Sequence, residues 1–487
     1  MAYKRPPNFN HLEFRSQMGE YLADPAVSST YLDYLSSAVD GQGRYLPFDD
    51  FRMRVRKPAN ENVAWLFKRL ARHNQSFKVM EIGDDRAPAT LHVTADMQRI
   101  CSLVDKNATV AALTVMKQEF GEERYADYLL QDLVDEESIS SSQLEGAATT
   151  TIVAKEMLSE KRKPRTPDER MVLGNWHMMK KAMELSDRPL SIELILELHS
   201  AGVLGIDDEK YTPGEFRTKD DVVVEDSEGG VVHTPPLAAG IRDRLMRLCE
   251  WANTPHDGPD SPNYIHPLIK AMILHFNIGF EHPFRDGNGR VARALFYWFM
   301  FKHGYRTFEF VSISALLKKA ATAYGKSYVH TEHDALDLTY FVHYQCGIVE
   351  RALDGFLDRF GDGLRKMLAT EMAVRSQMKI TPKDLDVAMA LAAKSASGSE
   401  STVSALSKTT GAAYNTVSGA IKKLEKGQMV VEREGKRYSI SPSLADEILD
   451  KALSIVTGPS TSDMAKILGS EFSRMDRLAR KNALLKK

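Results

Sequence analysis

The chain has 487 residues, 43% hydrophobic and 27% charged, with a formal net charge of -2. Such a length exceeds one hydrophobic core and predicts about three domains, and the near-neutral balance excludes a global basic field for nucleic acid, leaving only local patches. Three widely separated cysteines, Cys101, Cys249 and Cys346, make no CxxC pair, which argues against a disulfide framework or a thiolate metal site and fits a reducing compartment.

Met1 to Pro7 lack the apolar core of a signal peptide. The longest apolar run, Ala294 to Phe301, is too short to span a bilayer. A cytoplasmic protein with no membrane partner is the expectation. Residues 1–120 mix strand-like runs (Phe77 to Ile82 and Thr90 to Val93) with helical stretches and form an α/β lead-in domain. Residues 121–355 are mostly helical, interrupted by a hairpin-like segment from Glu215 to His233, in which Val222–Val224 and Val231–Val232 flank a Gly229–Gly230 turn. A helical connector is expected over 356–380 and a smaller unit over 381–445. A basic helical tail is expected over 446–487.

The chemistry concentrates in the run from His282 to Arg293. Pro267 suits a first helical turn, and Ile269, Met272, Ile273, Phe276 and Phe280 recur at helical spacing, predicting one buried face. His282–Pro283 breaks that helix. A second is expected to start with Asn288 as its N-cap and to end near Lys302–Gly304. Gly287 and Gly289 between them allow a tight turn that gathers backbone amides into an anion-binding nest, at which the second helix also points its N-terminus. Arg290 and Arg293 are three apart, on one helix face, where they can clamp the outer phosphates of a triphosphate. Asp286 is a misplaced anion in such a site unless a magnesium ion bridges it to the phosphates. His282 has a side chain suited to taking a proton near neutrality. These parts add up to in-line phosphoryl or nucleotidyl transfer onto a hydroxyl.

The twelve residues from His282 to Arg293 match at every fixed position the signature His-Pro-Phe-x-Asp/Glu-Gly-Asn-Gly-Arg-x-x-Arg, and the chain thereby resembles the Fic (Fido) family. The resemblance extends over about 130–350. Leu190–Ser191 with Leu198–His199 is similar to the helix before the family's flap, Pro213 to Arg217 with the Val-rich hairpin and Pro235–Pro236 to the flap itself, and Asp337 to Thr339 to the opening of a late core helix. It implies a mainly α fold, with a Fic helical core, a β-hairpin flap at 215–233 that holds a target protein as an added strand, and transfer of AMP from ATP, with Mg2+, to a Ser, Thr or Tyr hydroxyl, this chain's own included. By the same resemblance His282 is catalytic, Gly287, Asn288, Gly289, Arg290 and Arg293 bind the phosphates, and Asp286 holds the metal. Ser141 to Gly146 resembles the family's inhibitory helix, Ser/Thr-x-x-x-Glu-Gly/Asn, expected near 137–147. Glu145 then pairs with Arg293 and displaces the γ-phosphate. Glu281 departs from the aliphatic residue common before the His-Pro and, close to His282, would raise its pKa.

Other motifs are weaker. Gly325-Lys326-Ser327 lacks the leading glycine of a Walker A loop, His330, His333 and His343 lack zinc spacing, and His275 reads as core-facing. At the C-terminal end, Val403–Thr410, a Gly411 turn and Tyr414–Glu425 followed by strands around Glu434–Lys436 resemble a winged helix-turn-helix. It would offer Asn415, Thr416 and Ser418 to bases and Lys422, Lys423 and Arg437 to phosphates. A DNA-binding regulator whose Fic core senses nucleotide is the rival function, other donors or removal of AMP are rivals within the enzyme class, and a homodimer stays open.

Overall fold

The structure is a computed structural model. It describes residues 4–118, 128, 130, 135–206, 212–226, 229–256, 258, 259, 261, 263–377, 379–396, 400–433 and 436–441. The tail expected at 446–487 lies outside them. The chain divides into two compact units, Met1–Met116 with Leu133–Phe356, and Lys117–Asp132 with Leu357–Lys487. Residues 1–116 thus share a unit with the motif, where the sequence suggested a boundary near 120. No helix among the described residues is long and apolar enough to cross a membrane.

The first unit opens with α1 (His11–Leu22), α2 (Ser28–Ser36), α3 (Phe48–Arg52) and α4 (Glu61–Gln75). Asn10 and Asn60 start α1 and α4, each accepting two backbone N–H bonds in its side chain. Phe14, Tyr31, Phe48, Phe51, Trp65 and Phe67 form their shared core. An antiparallel hairpin follows, β1 (Phe77–Ile82) and β2 (Ala87–Leu91), then α5 (Ala95–Asn107) and α6 (Val110–Gln118).

Five helices surround the middle of the unit: α7 (Glu136–Leu144), α8 (Thr151–Glu160), α9 (Pro167–Glu184), α10 (Ile192–Val203) and, after the flap, α11 (Ile241–Asn253). The flap strands are shorter than read from sequence. β3 is Val224–Glu225 and β4 is Val231–His233, antiparallel, with a register shift between Val224 and Glu225. At the centre lie α12 (Pro267–Glu281) and α13 (Asn288–Lys302), packed on each other. One buried face was expected on α12, but every residue from Pro267 to Ile278 is buried, including Lys270, His275 and Asn277. A helix enclosed by neighbours on all sides has no solvent face to leave polar, and its polar side chains find internal partners: His275 Nε2 meets the Tyr324 hydroxyl at 2.7 Å and Asn277 donates to the Ile273 carbonyl at 2.9 Å.

Beyond α14 (Ser314–Lys319) and α15 (Ala321–His333), α16 runs unbroken over Thr339–Gln377. No proline interrupts it, and the division between the two units falls within it, between Phe356 and Leu357. In the second unit, α17 (Pro382–Ala396), α18 (Val403–Thr410), Gly411 at φ 68°, α19 (Tyr414–Lys426) and the hairpin β5 (Val430–Arg433) with β6 (Arg437–Ile440) follow in order. Leu391, Leu406, Val417, Ile421 and Leu424 are buried there, and Ser401 and Tyr438 exchange two backbone bonds of 2.9 and 2.8 Å.

Candidate active site

The site grows from the C-terminus of α12. His282 follows the helix with left-handed torsions, φ 45° and ψ 56°, its N–H still bonded to the Ile278 carbonyl at 3.0 Å. A residue before proline is pushed out of the right-handed helical region, and this turn swings the imidazole off the helix axis. Its Nδ1 lies 3.2 Å from the Gly279 carbonyl. A carbonyl only accepts, so Nδ1 carries the hydrogen and Nε2 keeps a lone pair for an incoming proton. Burial depresses the pKa of His282, against the opposing Gly279 bond, so the ring is a base at neutral pH. The Glu281 carboxylate is engaged elsewhere. It turns away and accepts from Arg244 Nε at 2.6 Å, buried on both sides.

The loop after His282 is held by side chains rather than by glycine freedom alone. Phe284 is fully buried and stacks on His199 of α10, centroids 3.7 Å apart at 6°. His199 Nδ1 accepts the Gly214 N–H at 3.1 Å, so Nε2 bears the hydrogen and donates to the Asp286 carbonyl at 3.1 Å. Asn288 does not cap α13. Gly287, at φ 85°, takes the N-cap position without a side-chain bond. The Asn288 amide instead accepts the Phe284 N–H at 2.9 Å and donates to the Phe284 carbonyl at 2.8 Å. A side-chain amide satisfies a backbone donor and acceptor together, which one cap bond would not do. The Asp286 carboxylate accepts the Gly287 N–H at 2.5 Å.

Arg290 and Arg293 lie on the inner face of α13, each with about 1% exposure. Arg290 donates to the Gly202 carbonyl at 2.9 Å, its guanidinium lying under the Gly287 turn. Arg293 donates to Ser141 Oγ at 2.9 Å, to the Ser141 carbonyl at 3.2 Å and to Glu145 Oε1 at 2.8 Å. Ser141 and Glu145 sit one helical turn apart at the end of α7, which stops at Leu144 with Glu145 as C-cap and Gly146 at φ 99°. A Cβ at Gly289 would collide with the Glu145 carboxylate, so this glycine admits the acid to the start of α13.

Two residues that hold the site were not singled out for it in the sequence, Arg217 being read only as part of the flap segment and Glu137 only as the start of the inhibitory helix. Arg217 is buried, and it donates from Nε to the His282 carbonyl at 2.9 Å and from its backbone N–H to the Pro283 carbonyl at 2.9 Å. Its Nη2 also reaches the Pro236 carbonyl. The flap is thereby fastened to the motif at both of its ends. Glu137, four residues before Ser141, accepts from Ser312 Oγ at 2.8 Å, Ser314 N at 3.0 Å and Ser314 Oγ at 2.5 Å. Only the (i, i+4, i+8) spacing of Glu137, Ser141 and Glu145 hinted at one face.

In the second unit, Asn415 and Lys422 of α19 and Arg437 of β6 are exposed, and Thr416 and Ser418 are half-buried. Lys423, expected near phosphates, bonds Asp384 at 2.7 Å.

Residues 189–300 match the model of the Fic/DOC family. Among curated proteins, the chain is 28% identical over 214 residues to a protein adenylyltransferase Fic of Drosophila willistoni, covering 44% of this chain and 40% of that one. It is 35% identical over 116 residues to the protein of that name from Drosophila melanogaster, covering 24% and 21%. The match therefore spans two fifths or less of these relatives' length. Among solved structures, a Fic family protein from Desulfovibrio desulfuricans G20 aligns with TM-score 0.43 and 17% identity, over 71% of this chain and 95% of that one. A Fic domain containing signaling protein from Bacteroides thetaiotaomicron aligns with TM-score 0.41 and 19% identity, over 50% and 94%. With the motif from His282 to Arg293 inside the matched span, residues 189–300 of this chain are a Fic/DOC family domain.

Proposed function

We propose that the protein transfers AMP from ATP to a Ser, Thr or Tyr hydroxyl of a protein, and that Glu145 restrains it. The observation that carries this reading is the convergence of three features on the loop from His282 to Arg293. Nε2 of His282 is left as a base. The Gly287 turn opens α13 with its amides toward the loop. Arg293, an obvious partner for a terminal phosphate, is held by a carboxylate. In the reaction, Nε2 takes the hydroxyl proton as the oxygen attacks the α-phosphorus. The bond from that phosphorus to the bridging oxygen breaks, and pyrophosphate leaves.

The Asp286 carboxylate sits on the amide turn that would receive phosphate, and one carboxylate with phosphate oxygens is a donor set magnesium accepts. Asp286 would hold that ion, which when bound supplies charge neutralisation on the phosphates. The similarity to Drosophila protein adenylyltransferases supports AMP as the group. The exposed edge of β3 and β4 suits a target segment added as a strand, and we place the protein in the cytoplasm.

Incubated with labelled ATP and magnesium, the chain should label itself weakly. Glu145→Gly should raise the signal, and His282→Ala should lower it at least about 100-fold, the scale of general-base catalysis. A Glu145→Gly protein that transfers nothing from any nucleotide would overturn the enzyme reading, and intact mass after each nucleotide separates AMP from other donors. A second reading rests on the exposed Asn415, Lys422 and Arg437: the second unit contacts DNA. A gel shift on promoter fragments that weakens steeply with salt would support it.

A further inference from the structure

His233 ends β4, opposite Val224 on β3, and it is buried against the helix that carries the general base. Its Nε2 lies 2.7 Å from the Phe280 carbonyl, two residues before His282, and its Nδ1 lies 2.8 Å from Glu332 Oε2 on α15. The ring also leans on the Phe280 side chain, centroids 5.1 Å apart. A peptide carbonyl and a carboxylate are both acceptors. Two such bonds require hydrogens on both ring nitrogens, which only the imidazolium has.

The position explains the charge. The last carbonyls of a helix lack intrahelical partners and carry its negative dipole end, where a cation is favoured. At the end of α12 the carbonyls of Phe280, His282 and Pro283 are all taken by flap residues, the first by His233 and the other two by Arg217. Arg217 stays charged at any relevant pH, so His233 is the titratable half of this double attachment.

We propose that His233, carrying both ring protons, is a positioning residue that clasps the flap onto the end of the His282 helix and so aligns a target segment for transfer. The proposal rests on the AMP-transfer reading for its purpose, but the clasp itself can be observed without any reaction. The charged and titratable groups facing His233 are Glu332 on α15 and Glu281 and His282 on α12, with Glu281 already engaged by Arg244. Burial opposes the charge on His233, but the Glu332 bond and charge, the Phe280 carbonyl and Glu281 outweigh it, and its pKa is raised. The clasp is therefore complete below the ordinary histidine value of about 6.5 and is released as pH rises through the raised value. In return, the positive charge helps to keep His282 unprotonated. Transfer then needs His282 neutral and His233 charged, which makes a bell-shaped profile whose alkaline limb belongs to the flap.

The test uses the full chain with 13C-labelled histidine, the His233 signal being identified by its loss in His233→Gln. The expected result is an imidazolium signal that titrates above the ordinary histidine range, and falling protection factors for amides of 222–226 and 229–233 over the same interval. Glu332→Gln, which keeps the histidine, should move both events to lower pH together. His233→Gln should show low flap protection at every pH, with an unchanged melt of the core. A His233 already neutral at pH 6, or flap protection that ignores its titration, overturns the proposal. None of these readouts needs nucleotide, so a chain without transferase activity would sink the earlier reading and leave the clasp standing. Where labelling is measurable in the Glu145→Gly background, Glu332→Gln should shift only the alkaline limb, whereas a merely structural defect would scale the whole profile.

Discussion

The neutral ring of His199 joins the Gly214 N–H to the Asp286 carbonyl while stacking on Phe284. Burial depresses its pKa to about 4, against the raising bond from the Asp286 backbone. A histidine held neutral in the fold contributes fully above its unfolded value of about 6.5 and loses that contribution as pH falls toward the folded value. Fold stability should accordingly decline between about pH 6 and 4, whereas nucleotide binding by the folded protein should hold until pH approaches the His199 value of about 4. His199→Phe keeps the stack but leaves a buried N–H and a buried carbonyl without their partner. It should weaken ATP binding in Glu145→Gly by about tenfold, on the scale of one lost buried hydrogen bond, measurable by calorimetry. Isothermal titration showing unchanged affinity would separate the loop's shape from His199. That His282 and Arg293 belong to one loop-and-helix unit was legible in the sequence because a single motif spans them. His199 was legible only as part of a resemblance, since its partners lie 15 and 87 positions away.

At the scale of elements, α7 is pinned twice from one face, by Glu145 on Arg293 and by Glu137 on Ser312 and Ser314. Burial raises the pKa of Glu137, opposed by the Ser314 bonds, the Arg293 charge and the Ser312 bond. Glu137→Gln replaces an acceptor oxygen with an NH2 group that must face donors. It should cost about 1–3 kcal/mol, seen as a lower Tm, and should raise self-labelling less than Glu145→Gly does, because the Arg293 contact remains. Periodicity located α12 and α13, with proline and glycine marking their ends, but it read α12 as one-faced. Local pattern cannot report that α13 and other helices close in on every side. Asn288 was misassigned for a related reason: an asparagine ahead of a helix ordinarily caps it, and only the folded loop shows Phe284 offering both backbone groups to the amide.

For the first unit as a whole, the N-terminal helices are structural partners of the Fic core. Arg72 of α4 lies over the Tyr45 ring at 3.7 Å, donates to the Ala38 and Leu46 carbonyls at 3.2 and 2.9 Å, and reaches the Tyr340 hydroxyl at the start of α16. Arg69 pairs with buried Asp334 at 3.0 Å, and Tyr45 donates to Asp337 at 2.5 Å. Removing residues 1–116 would leave two buried carboxylates without their cations, a loss of about 3–5 kcal/mol for each broken pair. Residues 133–356 expressed alone should therefore aggregate or melt without cooperativity, and co-expressed residues 1–116 should restore a single transition. A well-folded 133–356 fragment would show the interface to be dispensable. None of this was visible in the sequence, where residues 1–120 offered no motif, because its meaning lies in partners some 265 positions on.

The clip made by Asn288 also bears on how the protein ages. Asn288 precedes Gly289, and an asparagine before glycine is prone to lose its amide when the next backbone nitrogen reaches the side-chain carbon. Here the amide is buried at about 2% exposure, held by two bonds, and followed by a helical backbone that keeps that nitrogen away. The folded state thus protects the bond that its own sequence makes fragile. Once converted to an acid, position 288 could still accept the Phe284 N–H but could no longer donate to the Phe284 carbonyl. Activity lost on prolonged warming should track amide-to-acid conversion at Asn288, read by peptide mass, and should not return on cooling.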